Sequence, residues 1–275
     1  MTDLANGAAR ELVDALRARR PQDTFRVIDA HAHAGPYALF FIPRNSAAEM
    51  VAVMDRCGVR TALFSTNLGI QLDATAGNDS AGRIVAEHPE RLRGYFVVNP
   101  WQDPDAEIAL RQHDPRFVGI KIHPDLHHYP LTGPRYAGVW EFAESTGRPV
   151  LTHTWSGSEY DDLWQLAEVA ERHPLANILA GHAGVLRETI DTAIAIAHRF
   201  PRIHLEICGS HGHGELIARM VDEVGAGQVV YGSDFPFIDM RAALGRVVFA
   251  GLGAAEAELV LGGNMVKLVP GLAGG

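Results

Sequence analysis

Cysteine is scarce in this sequence, and the marks of a secreted or membrane-inserted chain are lacking. The two cysteines, Cys57 and Cys208, are far apart and form no CxxC pair, so neither a disulfide framework nor a cysteine-rich zinc site is expected. No apolar run is long enough to span a bilayer, and Met1–Arg20 is polar and charged, without the apolar core of a signal peptide. We therefore expect a soluble, cytoplasmic protein.

Clusters of basic residues are lacking too. The chain has 24 Lys and Arg against 33 Asp and Glu, a net charge of −9. Beyond Arg17, Arg19 and Arg20 near the N-terminus, no group of cations stands out. Because proteins that bind nucleic acid usually present a basic patch, nucleic acid and acidic membranes are not expected as partners. A small-molecule substrate is the expectation instead.

The sequence does contain a regular alternation of short apolar runs and longer amphipathic segments. Eight runs have the composition of β-strands: Phe25–His33, Arg60–Thr66, Leu92–Pro100, Phe117–Pro124, Arg148–Trp155, Asn177–Gly184, Arg202–Gly209 and Gln228–Pro236. Each is followed by a segment of helical pattern, near Ser46–Cys57, Asp79–His88, Pro104–Gln112, Tyr136–Thr146, Tyr160–Arg172, Leu186–Phe200, Glu215–Val224 and Met240–Phe249. This alternation indicates parallel strands joined by helices.

Eight such units close naturally into a (β/α)8 TIM barrel of the α/β class. An open doubly wound sheet is the alternative, but it would show a glycine-rich phosphate turn after its first strand, where this chain has HAHAG. We predict one domain over residues 1–275. An extra N-terminal helix is expected in residues 1–22 and an extra C-terminal helix in residues 254–271.

Histidines gather at the predicted strand ends, which form the active-site face of a TIM barrel. Seven of the fourteen lie there: His31, His33, His123, His153, His182, His211 and His213. His31 and His33 are two apart on a strand, so both imidazoles point the same way and can hold one metal ion. His153, His182 and Asp234 end three further strands. The set predicts a mononuclear metal site with room for a water molecule.

These segments resemble the amidohydrolase superfamily, and within it the branch that includes aminocarboxymuconate-semialdehyde decarboxylase and related lactone hydrolases. The matching pieces occur in order: DAHAH, GIKIHP, LTHT, AGHAG and YGSDFP, with GGNMVKLV (Gly262–Val269) as the least specific. The resemblance implies that His31, His33, His153 and Asp234 bind the metal. It also implies that His182 acts beside the metal as an acid–base or substrate-polarising residue, and sometimes as a ligand. Asp234 or His182 would take the proton of a metal-bound water molecule.

The resemblance implies one divalent metal ion and no second one. Zinc is the expected ion, with manganese or iron(II) as alternatives, since imidazole and carboxylate accept several metals. A homodimer is common among proteins of this kind and is kept as an expectation.

Lys121 and His123 in GIKIHP are two apart on a strand and are expected to face the cavity, where they would orient the substrate or pair with its carboxylate. Other branches of the superfamily carboxylate a lysine here to bridge two metals, which stays an alternative. In a third interpretation Lys121 balances buried charge, with Glu206 as its partner. Trp155 and Arg44 are further candidates for substrate binding.

The leading functional prediction is hydrolysis of a small amide, lactone or ester-like bond by metal-activated water. The alternative is non-oxidative decarboxylation of an aromatic or unsaturated carboxylic acid, which needs a cation for the carboxylate. Lys121, Arg44 and Arg135 are the candidates for that cation. A second alternative is a barrel that binds metal without catalysis. The predicted metal ligands do not distinguish between these functions, because the same set of ligands can polarise a carbonyl group or orient a carboxylate.

Overall fold

Eight parallel β-strands follow one another around a barrel in the computed structural model of the protein, which describes residues 7–184 and 186–273. The strands are β1 (Val27–Ala34), β2 (Val59–Thr66), β3 (Leu92–Val97), β4 (Phe117–Ile122), β5 (Val150–His153), β6 (Ile178–Gly181), β7 (Ile203–Glu206) and β8 (Val229–Val230). Each pairs in parallel with the next. The predicted TIM barrel is confirmed.

The barrel closes between β8 and β1, although the regular part of β8 is much shorter than the predicted run Gln228–Pro236. Beyond β8 the chain continues beside β1 and keeps hydrogen-bonding to it. The amide of Ala30 donates to the carbonyl of Tyr231 over 3.0 Å, and the amide of Asp234 donates to the carbonyl of His31 over 2.8 Å. These bonds bring the end of the last strand directly against the HxH segment.

Helices surround the barrel. They are α1 (Gly7–Arg17), α2 (Ala47–Cys57), α3 (Asn67–Gln71), α4 (Ala74–Glu87), α5 (Pro104–Arg111), α6 (Pro124–His127), α7 (Ala137–Thr146), α8 (Leu163–Arg172), α9 (Ile190–Arg199), α10 (Gly214–Val224), α11 (Met240–Val248), α12 (Ala254–Glu258) and α13 (Asn264–Leu268). The short helices α3 and α6 were not predicted. Helix α4 begins before the predicted Asp79, because Asp73 caps it by accepting from the amide of Ala76 over 2.9 Å.

The two extra helices lie where the sequence places them. Helix α1 falls within the predicted 1–22, of which residues 1–6 lie outside the described part of the chain. The predicted helix over 254–271 consists of α12, a π-helical turn (Leu259–Gly263) and α13. Across residues 7–184 and 186–273, no helix has both the length and the apolar character needed to cross a membrane.

The C-terminal segment seals one end of the barrel. Met265 and Leu272 are buried in one apolar cluster with the inward-facing residues Ile28, Leu151 and Leu179. This C-terminal segment covers the amino ends of the strands, so the interior of the barrel is reached from the carboxyl ends. This is the end at which the predicted site residues lie.

Candidate active site

A cavity of about 210 Å³ opens at the carboxyl ends of the strands. Seven of the residues singled out from the sequence line it: His31, His33, Lys121, His123, His153, His182 and Asp234. The remaining lining residues are Tyr37, Phe40, Asn67, Ile70, Leu126 and Phe237. Segments far apart in sequence therefore deliver five imidazoles, an ammonium group and a carboxyl group to one small volume.

A β-bulge in β1 sets which way its histidines point. Asp29 pairs with Ala62 and Ala32 pairs with Phe64, so β1 advances three residues while β2 advances two. The extra residue reverses the alternation of sides along the strand. Ile28 and Ala30 therefore face the barrel interior below the bulge, while His31 and His33 face the cavity above it.

The carboxyl group of Asp29 fastens this bulge to the end of β8. It accepts from the amide of His31 over 3.1 Å and from the amide of Ser233 over 2.9 Å. The Ser233 hydroxyl donates to its other oxygen over 2.5 Å. The first residue of DAHAH is thus a structural residue that joins the HxH segment to the GSDFP segment.

His31 and His33 each have a partner on Nδ1, which leaves Nε2 toward the cavity. Nδ1 of His31 is 2.8 Å from Oε2 of Glu206, and Nδ1 of His33 is 3.1 Å from the Ser65 hydroxyl. On the cavity side, Nε2 of His33 is 3.3 Å from Oδ1 of Asp234, and Nε2 of His31 is 3.9 Å from it. Partners on the far nitrogen are what orient histidines that ligate metal.

His153 and His182 complete the ring of imidazoles. The centre of the His182 ring is 4.9 Å from that of His153 and 5.2 Å from that of His31. His123 stacks on His153 with 4.0 Å between ring centres and an angle of 13° between planes. Nδ1 of His123 accepts from the amide of Leu126 over 3.3 Å, which leaves Nε2–H of the neutral ring as a donor.

His182 and Asp234 both lie in left-handed backbone, with φ of 64° and 63°. Residues other than glycine rarely adopt this conformation, which costs on the order of 1 kcal/mol or more. His182 directly follows β6, and Asp234 lies where the chain beyond β8 still runs beside β1. At both positions the left-handed turn directs the side chain over the cavity. Strain of this kind is commonly found at functional sites.

Burial favours the neutral form of several of these imidazoles. It lowers the pKa of His31 well below the ordinary value, with a further contribution from the Lys121 charge, and it also lowers the pKa of His33. Burial lowers the pKa of His182 to about 3. A neutral imidazole offers the lone pair that a metal ion or a proton requires.

The two charged groups of the cavity respond differently to burial. Burial lowers the pKa of Lys121 to about 8, so the ammonium form still predominates at pH 7. Burial on its own would raise the pKa of Asp234, but the hydrogen bond from His33 and the surrounding electrostatic interactions, among them that with the Lys121 ammonium, outweigh it, and the pKa lies below its ordinary value. The cavity therefore combines one cation and one carboxylate with the neutral imidazoles of His31, His33 and His182.

Glu206 faces the interior as expected, but its partner is not Lys121. Its Oε2 contacts Nδ1 of His31 and accepts from the thiol of Cys208 over 2.9 Å, and its Oε1 accepts from the amide of Cys208 over 2.8 Å. Cys208 was not anticipated from the sequence. Its sulfur is 3.1 Å from Nδ1 of His31 and 3.3 Å from Nδ1 of His182, so it lies behind both rings.

The four residues predicted to bind substrate lie in different places. Lys121 has no exposed surface, and His123 also lines the cavity. Trp155 is 41% exposed and lies at the edge of the site, with its ring centre 6.4 Å from that of His153. Arg44 is exposed and is not among the described residues that line the cavity. Nor is Arg135, whose guanidinium lies over Trp101.

Aromatic rings form another part of the cavity wall. Tyr37 meets Phe237 edge-on with 4.9 Å between ring centres, and Phe40 lies 4.8 Å from Tyr37. Phe237 also meets His33 edge-on over 5.5 Å. Tyr37 and Phe40 come from the loop after β1 and Phe237 from the loop after β8. Phe237 follows the GSDFP motif, but nothing in the sequence indicated that it would line the cavity.

The donor set fits a divalent metal ion. Donor atoms of His31, His182, Asp234 and Cys208 lie within 4.8 Å of one another, and those of His123, His153 and Asp161 form a second group. The first group shares only His31 and Asp234 with the predicted ligands: it contains His182 and Cys208 in place of His33 and His153, and His153 falls in the second group. Cys208 contacts the Nδ1 edges of the His31 and His182 rings rather than the cavity. Neutral imidazole nitrogens with a carboxylate oxygen are donors that zinc, manganese and iron(II) accept. His31, His33, His153 and Asp234 as ligands stay a proposal.

The barrel and its convergent imidazoles and carboxylate define a class: TIM-barrel proteins with a candidate metal centre at the carboxyl ends of the strands. A sequence model of the amidohydrolase family matches residues 28–271. The chain belongs to the amidohydrolase family, as its motifs indicated. No curated protein is significantly similar to it in sequence.

Solved structures with the same fold include several decarboxylases. 5-Carboxyvanillate decarboxylase LigW from Sphingomonas paucimobilis has a TM-score of 0.71 at 17% identity, over 90% of this chain and 99% of that one. 2,6-Dihydroxybenzoate decarboxylase from Rhizobium has a TM-score of 0.70 at 17% identity, over 89% and 98%. 5-Carboxyvanillate decarboxylase from Novosphingobium aromaticivorans, complexed with manganese and 4-hydroxy-3-methoxy-5-nitrobenzoic acid, has a TM-score of 0.71 at 14% identity, over 91% and 98%. At these identities the likeness extends to the fold alone.

Proposed function

We propose that the protein is a metal-dependent decarboxylase that removes CO₂ from a small aromatic or unsaturated carboxylic acid without oxidation. The observation that carries the proposal is the fully buried Lys121, whose ammonium lies in a cavity walled by imidazoles and aromatic rings. A decarboxylase needs a cation for the carboxylate, and the other two candidates, Arg44 and Arg135, do not line this cavity among the described residues. The decarboxylases of the same fold support this reaction class.

The cavity suits a flat, anionic substrate. The rings of Tyr37, Phe40 and Phe237 offer edges and faces to a planar molecule. Lys121 and the Nε2–H of His123 are donors from which a carboxylate can accept. A volume of about 210 Å³ is small, which favours a substrate of one ring or a short unsaturated chain. Trp155 at the edge of the site is proposed to contact the outer end of the substrate.

His31, His33, His153 and Asp234 would hold one divalent ion, which when bound would polarise the substrate and stabilise the negative charge that develops on it. Zinc is the first expectation. Manganese is the alternative with independent support, since it accompanies the Novosphingobium decarboxylase. No second ion is proposed.

Decarboxylation breaks the bond between the carboxylate carbon and the ring or vinyl carbon and leaves the electron pair on the latter. That carbon must then take up one proton. Because His182 is neutral and Asp234 is ionised at pH 7, we propose that they relay this proton from a water molecule or a hydroxyl group of the substrate to the carbon. Both side chains are aimed over the cavity by left-handed backbone, and the His182 ring lies beside that of His153. Lys121 binds the substrate carboxylate until this group leaves as neutral CO₂, and the aromatic wall limits the access of water.

Hydrolysis of a small lactone, amide or ester-like bond is the second candidate. The observation in its favour is Asp234, a carboxylate whose pKa lies below its ordinary value and whose oxygen faces the same imidazoles. Such a carboxylate can take a proton from an attacking water. Lys121 would then have to bind a carboxylate elsewhere on the substrate.

The test is a substrate panel with purified protein loaded separately with Zn²⁺, Mn²⁺ or Fe²⁺. Hydroxybenzoates and unsaturated acids are assayed for CO₂ release, and lactones, amides and esters for acid release. The proposal predicts CO₂ release that disappears after chelation of the metal. Acid release without CO₂ would establish the hydrolase instead. Metal binding without either activity would support the non-catalytic barrel.

A further inference from the structure

The loop after β5 folds back beneath its own strand end. The amide of Trp155 donates to the carbonyl of Asp161 over 3.2 Å, and the amide of Asp161 donates to the hydroxyl of Ser158 over 3.3 Å. The Ser158 hydroxyl in turn donates to Oδ1 of Asp125 over 3.1 Å, which ties the loop to helix α6. A residue eight positions after His153 is thereby returned to the His153 ring.

Asp161 is fully buried at this position. Its Oδ2 is 2.7 Å from Nδ1 of His153 and accepts from the amide of Asp125 over 3.3 Å. Its Oδ1 is also buried and has no hydrogen-bond partner among residues 7–184 and 186–273. A buried polar atom without a partner costs about 1–3 kcal/mol. A buried carboxyl group at this position therefore lowers the stability of the fold. Its contact with His153 is the role that explains why an aspartate occupies the position.

The contact determines which nitrogen of His153 is free. A carboxylate oxygen accepts, so it selects the tautomer with the proton on Nδ1 and leaves the lone pair on Nε2. The stacked His123 ring, 4.0 Å away, restricts rotation of the His153 plane. The two contacts together fix both the orientation of the ring and the nitrogen it presents to the cavity.

We infer that Asp161 is a positioning residue that holds His153 in the Nδ1–H tautomer, with its Nε2 lone pair facing the cavity. The inference rests on the proposed metal function, in which that lone pair is a ligand. Partners of this kind typically change metal affinity by about 10- to 100-fold when they are removed. Asp161 was not indicated by any sequence motif: it falls within the predicted helical segment Tyr160–Arg172, whereas helix α8 begins only at Leu163 and Asp161 lies in the loop before it.

The first test needs neither metal nor substrate. In protein labelled with ¹⁵N-histidine and stripped of metal, the ring nitrogen shifts of His153 are expected to show the Nδ1–H tautomer, assigned with His153→Gln. In Asp161→Leu, which is similar in size but cannot accept, a mixture of tautomers is expected. Asp161→Asn keeps an acceptor oxygen and is expected to restore most of the Nδ1–H form. An Nε2–H tautomer in the wild-type protein would overturn the inference, whether or not the variants fold.

The second test is titration of the metal-free proteins with Co²⁺ alone, followed by visible absorption. Asp161→Leu is expected to bind about 10- to 100-fold more weakly than wild type, with Asp161→Asn in between. The control is Glu144→Met, which removes a similar contact, 3.1 Å from Nδ1 of His173, away from the cavity. Equal affinity in Asp161→Leu and wild type would overturn the inference. Failure of the wild type to bind Co²⁺ would instead defeat the proposed metal function, while the tautomer test would still decide on Asp161.

Discussion

Nζ of Lys121 lies 3.0 Å from Nε2 of His31. The ammonium donates to the lone pair that His31 is proposed to offer to a metal ion. One lone pair cannot serve both, and a divalent ion beside an ammonium is repelled by it. Metal binding therefore requires Lys121 to turn away from His31. A rotation toward the carboxylate of a bound substrate would meet that requirement.

Lys121→Met is expected to separate metal binding from catalysis. Removal of the competing ammonium should leave metal affinity equal or tighter, while loss of the cation for the carboxylate should lower kcat/KM for decarboxylation by about 100-fold or more. Calorimetric metal titration and CO₂ release measure the two effects. The chain has only two lysines, so Lys267→Met, on the exposed surface of α13, is a matched control. Full activity in Lys121→Met would show that this ammonium does not hold the substrate.

Asp234→Asn is expected to lose nearly all turnover while the barrel stays folded. The amide can accept from His33 but can neither take up a proton nor carry the negative charge that the carboxylate has at pH 7. A loss of about 10²- to 10⁴-fold in kcat is usual for a proton-transfer residue. Steady-state kinetics at saturating metal, together with circular dichroism, measure this. Replacement of His31 should lower metal content as well as rate. Normal turnover in Asp234→Asn would contradict the proposed role of this carboxylate.

The fold could be predicted because its signals are local and repeated. Each strand is a short apolar run, and each helix has a 3.6-residue pattern that needs no knowledge of the rest of the chain. Boundaries were predicted less well where a single side chain decides them, as Asp73 does at the start of α4. Most of the run predicted as β8 is irregular, because Asp234 adopts left-handed backbone beside β1.

The sequence predicted only those site residues that lie at strand ends, because the strand ends converge in a barrel. The rule that barrel sites lie at the carboxyl ends brought His31, His153, His182 and Asp234 together before any geometry was known. The rule does not give contacts made by irregular loops, so Asp161 was missed. Nor does it predict the bulge in β1. Strict alternation of side chains along a strand would place Ile28 and His31 on opposite sides, whereas both face the inside of the barrel. Arg44 was chosen for its charge, and its loop position leaves it exposed.

Phe237→Ala is expected to weaken the binding of an aromatic acid. Phe237 contributes an edge-on contact to Tyr37 and one face of the cavity, so its loss should raise KM by about 10-fold, equivalent to roughly 1.4 kcal/mol. Because Phe237 also contacts His33, metal content is measured in parallel. The control is Phe41→Ala in the same rim of the barrel, since Phe41 is 87% exposed and is not among the described residues that line the cavity. An unchanged KM in Phe237→Ala would argue against an aromatic substrate.

His127 is expected to make the protein sensitive to mild acid. Its ring is buried between helices, with Nε2 2.9 Å from the carbonyl of Ile70 and Nδ1 3.0 Å from the Tyr136 hydroxyl. Burial lowers its pKa from 6.5 to about 4. Between pH 4 and pH 6.5, His127 is protonated in the unfolded chain but neutral in the folded protein. Its contribution to the free energy of unfolding is therefore fully present above pH 6.5 and decreases as the pH drops toward 4. At pH 5 the loss from this residue is about 2 kcal/mol.

Urea unfolding of the metal-free protein at pH 7.5 and pH 5 measures this loss. His127→Gln should be less stable than wild type at pH 7.5, because the bridge between Ile70 and Tyr136 is broken. The same variant should lose about 2 kcal/mol less than wild type between the two pH values, since it has one buried imidazole fewer to protonate. His204, whose pKa burial also lowers to about 4, keeps part of the acid sensitivity in both proteins. His113→Gln, at an exposed position, serves as the control and should follow wild type. An equal loss in His127→Gln and wild type would show that His127 is not the group that titrates on unfolding.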